Sequence, residues 1–187
     1  MIYFDASYVA KCYLNETGSG SVRQLAQSQS SLACCEYGRI EVTSTFHRNL
    51  REGLLTKSQY DVVARQFESD DKNGIWTWLP LTADLCRKTA ARIHALPLSA
   101  FIRAGDALHL TSAAENGFAE IYSNDRHLQA SAALFGLEAV NVIRWQASQY
   151  PLTAERLATR ICSPSSRRSE RKNQELNIST LKSLRGT

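Results

Sequence analysis

The stretch Ile2-Tyr3-Phe4-Asp5-Ala6-Ser7 decides how the rest of the chain is read. Ile2, Tyr3 and Phe4 form a short apolar run, as a buried strand does, and the run stops at a carboxylate. Ser7 can then cap a helix that continues to about residue 14. A later stretch has the same order: Ile121-Tyr122-Ser123 reads as a strand, Asp125 follows it, and a helix follows that over 126–135. Strands that end in acids and lead into helices point to an α/β fold with a parallel sheet.

The intervening residues fit that frame. Residues 18–27 look helical, and 31–35 are a short strand of small apolar residues. Residues 36–52 form a long helix whose main stripe is Val42, Phe46 and Leu50, with Gly53 as its stop. Residues 56–69 follow as a helix with Thr56 as N-cap. The aromatic strand 75–79 ends at Pro80, and its Trp76 and Trp78 point to one face, where core packing explains them. Helices are expected over 82–96 and 105–116, the latter stopped by Gly117, and a last strand over 139–142. No G-x-G-x-x-G or Walker A loop occurs, and Gly18-Ser19-Gly20 is too short to cradle a phosphate, so a nucleotide-binding Rossmann domain is not expected.

The chain has 187 residues and a formal net charge of +4, distributed unevenly. Residues 1–150 hold 14 Lys and Arg against 15 Asp and Glu, whereas residues 151–187 hold 8 against 3. The domain is therefore expected over 1–150, one further helix over 151–162, and a basic, Ser-rich, disordered tail over 163–187. That tail reads either as a phosphate-binding arm or as a solvated terminus without a role. No apolar run approaches the roughly 18–20 residues of a membrane span, and the opening residues do not resemble a secretory leader, so a cytoplasmic protein without membrane contact is expected. Of five cysteines none is spaced C-x-x-C, and Cys12, Cys34, Cys35 and Cys86 read as buried small hydrophobes. The histidines His47, His94, His109 and His127 show no zincin pattern.

Four acids stand out by placement. Asp5 and Asp125 follow strands, and in open parallel sheets sites lie beyond the strands' C-terminal ends. Glu41 lies off the main stripe of its helix, with the small or polar Ser44 and Thr45 beside it. Asp106 aligns with Leu110 and Ala113, so its carboxylate is expected to point inward. Each acid also has an ordinary explanation: a turn or cap for Asp5 and Asp125, a solvated face for Glu41, a helix-dipole preference for Asp106. His109 reads as a packing or supporting group rather than a metal ligand. Should the four acids converge, they would repel one another, and a hard cation such as Mg²⁺ or Mn²⁺ would resolve the conflict and suit phosphodiester hydrolysis.

The segment from Met1 to Ser7, followed by Tyr8 to Leu14, resembles the opening of PIN-domain ribonucleases, in particular VapC-like toxins of toxin–antitoxin pairs. Arg39-Ile40-Glu41-Val42 resembles the second acidic position of that family. Ala104-Gly105-Asp106-Ala107-Leu108-His109-Leu110 resembles the third, and Ser123-Asn124-Asp125-Arg126-His127-Leu128 the fourth. The resemblance covers about residues 1–145; the basic segment beyond Tyr150 departs from it. It implies a three-layer α/β/α domain and a divalent-metal-dependent endoribonuclease. Asp5, Glu41, Asp106 and Asp125 would be the catalytic, metal-binding acids, and Ser7 and Ser123 would supply orienting hydroxyls. It also implies an RNA substrate, a homodimer, and a cognate antitoxin in a groove that Tyr8, Tyr13 and Leu14 would line unless they pack in the core. Arg48, Arg51, Arg103 and Arg126 are candidates for backbone phosphates or plain surface charges.

The alternative is a catalytically silent PIN-like module that binds RNA or protein; it would be expected to have lost an acid, and none is missing. A dehalogenase-type phosphatase wants a second acid two residues after the first, where this chain has Ser7.

Overall fold

The structure, a computed structural model, describes residues 1–143. The end of the expected domain, the further helix at 151–162 and the basic tail at 163–187 lie outside the described residues. The strands are β1 (Ile2–Phe4), β2 (Leu32–Cys35), β3 (Trp76–Leu79), β4 (Glu120–Tyr122) and β5 (Glu138–Val140). The helices are α1 (Ala6–Tyr13), α2 (Ser19–Gln27), α3 (Tyr37–Arg51), α4 (Lys57–Lys72), α5 (Ala83–His94), α6 (Ala104–Glu115) and α7 (Arg126–Ser131).

All strand pairs are parallel, in the order β3-β2-β1-β4-β5. The register follows from the alternation of side chains. Phe4, Leu32, Cys34 and Trp76 turn to one face and pack with α1 to α4 through Tyr8, Val22, Val42, Phe46 and Phe67. Tyr3, Ala33, Leu79 and Ile121 turn to the other and pack with α5 to α7 through Leu85, Leu110, Ala113 and Leu128. The result is a three-layer α/β/α domain with a strand sheet apolar on both faces, as all-parallel sheets are. Phe46 shows the packing: its ring lies 5.9 Å from Tyr13 and 5.8 Å from Phe67. Burial of one such side chain contributes about 1.5–3 kcal/mol.

The departures from the sequence reading have local causes. The helix expected over 56–69 runs on to Lys72; Thr56 caps it, with Gln59 returning the hydrogen bond in a capping box. In α3 the third buried position is Asn49, not Leu50. Asn49 sits where the chain reverses at Gly53, and its carbonyl accepts from Leu54 and Leu55. The stretch expected as one helix over 126–135 is α7 followed by a 3-10 turn, Ala132–Phe135. Cys12, Cys34 and Cys35 are buried as expected, but Cys86 is exposed. It follows Leu85, and the buried side of α5 is Leu85 and Thr89, so Cys86 is turned outward. Tyr8, Tyr13 and Leu14 are core residues, and Trp76 is buried against them. Among the described residues no helix is long and apolar enough to cross a membrane.

Candidate active site

The chain leaves β1 toward one face of the sheet and β4, its neighbour, toward the other. Crossovers that diverge in this way open a crevice beyond the strand ends, at the topological switch point. Asp5 lies at the end of β1, and Ser123, Asn124 and Asp125 follow β4.

Asp5, not Ser7, is the N-cap of α1: its backbone is extended and its Oδ1 accepts from the Tyr8 N–H at 2.9 Å. Ser7 already lies within the first turn, and its hydroxyl instead donates to Asp5 Oδ1 at 2.8 Å. Ser123 donates to Asp5 Oδ2 at 2.5 Å and accepts from the Asp125 N–H at 2.9 Å, so one hydroxyl joins the ends of β1 and β4. Asp5 is only 4% exposed. Burial raises its pKa, and the bonds from Ser123, Tyr8 and Ser7 offset only part of that rise.

Asp125 caps α7, accepting from the His127 N–H at 2.7 Å and the Leu128 N–H at 3.3 Å. Arg103 Nη1 donates to its other oxygen at 3.0 Å. Partial burial pulls its pKa upward, but the two amides and the guanidinium prevail and hold the carboxyl below its usual range. Asp106, in the first turn of α6, is aimed inward as expected, and its Oδ2 is buried without a hydrogen-bond partner. Burial first, and the charge of Asp125 second, push its pKa up against the pull of Arg103 and His109.

Glu41 is held from behind. His109, 3% exposed, places Nε2 2.7 Å from Glu41 Oε2. Its Nδ1 lies 2.9 Å from the Tyr3 hydroxyl, which itself accepts from the Cys35 N–H at 3.2 Å. Tyr3 has one proton to give, so in the neutral ring it donates to Nδ1 and Nε2–H donates to Glu41. A chain of hydrogen bonds thus runs from β2 through β1 and α6 to α3. The helices can approach because residue 105 is glycine: a Cβ there would meet Glu41 Oε1 at 3.0 Å and Tyr37 Cε1 at 3.3 Å.

All four sequence-selected acids therefore border the C-terminal edge of the sheet. Asp5 and Asp125 are joined through Ser123, Asp106 senses the charge of Asp125, and Glu41 reaches Gly105 beside Asp106. Among the described residues, however, no three His, Cys, Asp or Glu side chains close up as a ready set of metal ligands. Asp5 and Asp125 are fastened to caps, and Glu41 to His109. Mg²⁺ or Mn²⁺ fits the donors in kind: they are hard oxygens, one of them is buried without a partner, and two of the acids carry raised pKa values. The Arg103–Asp125 bond is the contact such an ion would compete with.

Beside the acids lies a cavity of about 370 Å³ lined by Ser7, Arg103, Asn124, Asp125, Arg126 and His127. Sequence reasoning selected Arg103 and Arg126 but missed Tyr3 and Asn124 as site residues. A tyrosine inside a buried strand needs a partner for its hydroxyl, which was the available signal for Tyr3; nothing local marked Asn124. The chain matches no protein-family model and no curated protein sequence.

Proposed function

We propose that this chain is a divalent-metal-dependent endoribonuclease that hydrolyses RNA phosphodiester bonds, the toxin of a cytoplasmic toxin–antitoxin pair. The observation that carries the reading is the Asp106 carboxylate, whose buried Oδ2 lacks a hydrogen-bond partner beside Asp125 at the sheet's switch point. A buried carboxylate oxygen without a hydrogen-bond partner is costly, and a cation or its water is the natural complement. Asp5, Glu41, Asp106 and Asp125 are the residues that would hold Mg²⁺ or Mn²⁺. When bound, such an ion lowers the pKa of water and offsets charge developing on a phosphodiester. Ser7 and Ser123 fix the Asp5 carboxylate, and His109 and Tyr3 fix Glu41, so these two acids are oriented by hydrogen bonds rather than by substrate. The nuclease reading further rests on the PIN-like motifs around the same four acids; the antitoxin and the homodimer rest on that resemblance alone.

Incubation of a mixed RNA with Mg²⁺ or Mn²⁺, with chelator, and with Asp5→Asn tests it. Cleavage that disappears with chelator and with the substitution supports the reading; cleavage that survives Asp5→Asn overturns the cluster. A catalytically silent binding module is the second reading. It is favoured by the Arg103–Asp125 ion pair and by the lack of a ready ligand set among the described residues. Folded protein that binds RNA but leaves it intact with either metal would support that module instead.

A further inference from the structure

The loop between α5 and α6 presents an aromatic side chain to solvent next to the acids. Phe101 is 59% exposed, yet it is held in place. Its ring lies 4.6 Å from the His127 ring at a tilt of 52°, and its carbonyl accepts from the Ser131 hydroxyl at 3.1 Å. A turn closed by the Ala100 N–H on the Pro97 carbonyl precedes it. The loop thus holds a large apolar surface out toward water without hiding it. His127 belongs at once to this ring pair and to the 370 Å³ cavity. Arg126 lies beside it, its Nε 3.4 Å from His127 Nε2, and makes no ion pair among the described residues. Arg103 closes the other side and links the cavity to Asp125.

An exposed, anchored aromatic edge beside a small polar cavity with two guanidinium groups is complementary to one nucleotide. The cavity lies at the small end of the roughly 300–1,000 Å³ typical of ligand sites. Base-tolerant recognition of unpaired nucleic acid combines a ring for stacking with cations for the backbone, and both are present. Duplex RNA does not offer a base face to such a ring, because its bases are stacked on each other. A protein segment could cover Phe101, but it would not explain Arg126, which lines the cavity and makes no ion pair among the described residues.

We propose that Phe101 and His127 form a stacking subsite for one unpaired base of the RNA substrate, with Arg126 on the adjoining phosphate. The subsite sits next to the acids and rests on the ribonuclease reading of them, but binding tests it separately from cleavage. The probe is a short fluorescein-labelled single-stranded RNA of mixed sequence, in chelator, followed by fluorescence anisotropy against the full chain. Phe101→Ala is expected to weaken binding by about tenfold, the scale of one base–aromatic stack, and Phe101→Trp to restore it. An abasic version of the probe should bind the wild type and Phe101→Ala alike. Arg126→Ala should weaken both probes and flatten the salt dependence. Because Phe101 is exposed, the alanine variant keeps the core, and an unchanged circular dichroism spectrum checks this. Equal binding of the mixed probe by wild type and Phe101→Ala overturns the subsite, as does a wild type that binds no probe. Phe101 then belongs to a protein interface or to none. Phe101-dependent binding without metal-dependent cleavage keeps the subsite and removes the nuclease; cleavage abolished by Asp5→Asn with Phe101-independent binding does the reverse.

Discussion

Asp5 closes β1 and caps α1; Asp125 comes after β4 and caps α7. In sequence they are the same device, an acid past a strand and before a helix. In space, one is enclosed and met by hydroxyls and a single amide, and the other is half-buried and met by two amides and a guanidinium. Burial wins at Asp5 and raises its pKa, whereas the donors win at Asp125 and lower it. Capping therefore does not decide whether a carboxylate has charge left to offer; the number and kind of donors around it does.

The largest difference should come from truncating each acid in turn. Asp5→Ala removes a cap and leaves the buried Ser123 hydroxyl without its acceptor, which should cost roughly 2–4 kcal/mol in urea unfolding. Asp125→Ala, with its amides closer to water, should cost about 1 kcal/mol. In RNA cleavage, removing either charge as Asn should lower the rate more than about a hundredfold if the acids hold a metal. Equal destabilisation by the two alanines would break the contrast drawn from burial.

Metal addition comes next. If the acids bind Mn²⁺, an excess of about a hundred times Kd should stabilise the fold by about 2.7 kcal/mol. Asp106→Asn should abolish that gain without destabilising the metal-free protein, because it removes a buried charge next to Asp125. Thermal unfolding with and without Mn²⁺ reads both effects; a full gain in Asp106→Asn would place the ion elsewhere.

Behind the acids, Tyr3→Phe tests the support of Glu41. The change empties no volume but leaves the Cys35 N–H and His109 Nδ1 without the hydroxyl. A loss of about 1–2 kcal/mol is expected in urea unfolding. A neutral result would mean that water replaces the hydroxyl, and that His109 orients Glu41 unaided.

Much of this arrangement is legible in the sequence. The strands Ile2–Phe4 and Trp76–Leu79 are marked by short apolar runs, and Thr56 and Gly53 mark helix ends by their own chemistry. Asp5 and Asp125 are visible through where the strands stop, Asp106 through its alignment with Leu110 and Ala113, and Glu41 through the family resemblance. What local pattern does not carry is how each acid is met. Arg103 lies 22 residues before Asp125, and Tyr3 lies 106 before His109. Such pairs are made by the packing of α6 on the sheet and beside α7. Residue type leaves Asp5 and Ser7 equal as caps of α1, and Asp5 takes the role because its backbone is extended while Ser7 already lies in the helix.

The smallest effect bears most directly on the contrast between the two caps. Arg103→Gln removes a partly exposed ion pair, whose loss should cost no more than about 1 kcal/mol. Its informative effect is on pH dependence in metal-free protein. Asp125 has a lowered folded pKa, so the unfolded chain binds its proton more readily; the stability it provides is present above the ordinary aspartate value of about 3.9 and is lost as pH falls through the folded value. Asp5 has a raised folded pKa, so its sign is reversed: the folded chain binds the proton more readily, and stability declines as pH rises from about 3.9 through the folded value. Because Arg103 also holds down the raised pKa of Asp106, the comparison is made in an Asp106→Asn background, where Arg103→Gln should shrink the acid-side loss belonging to Asp125 and leave the decline belonging to Asp5 untouched. Unfolding free energies across the acid range, compared with Asp5→Asn, separate the two. If Arg103→Gln alters the upper decline in that background, where Asp106 no longer titrates, the guanidinium acts on the buried Asp5, and the two caps share one electrostatic site rather than standing as opposites within it.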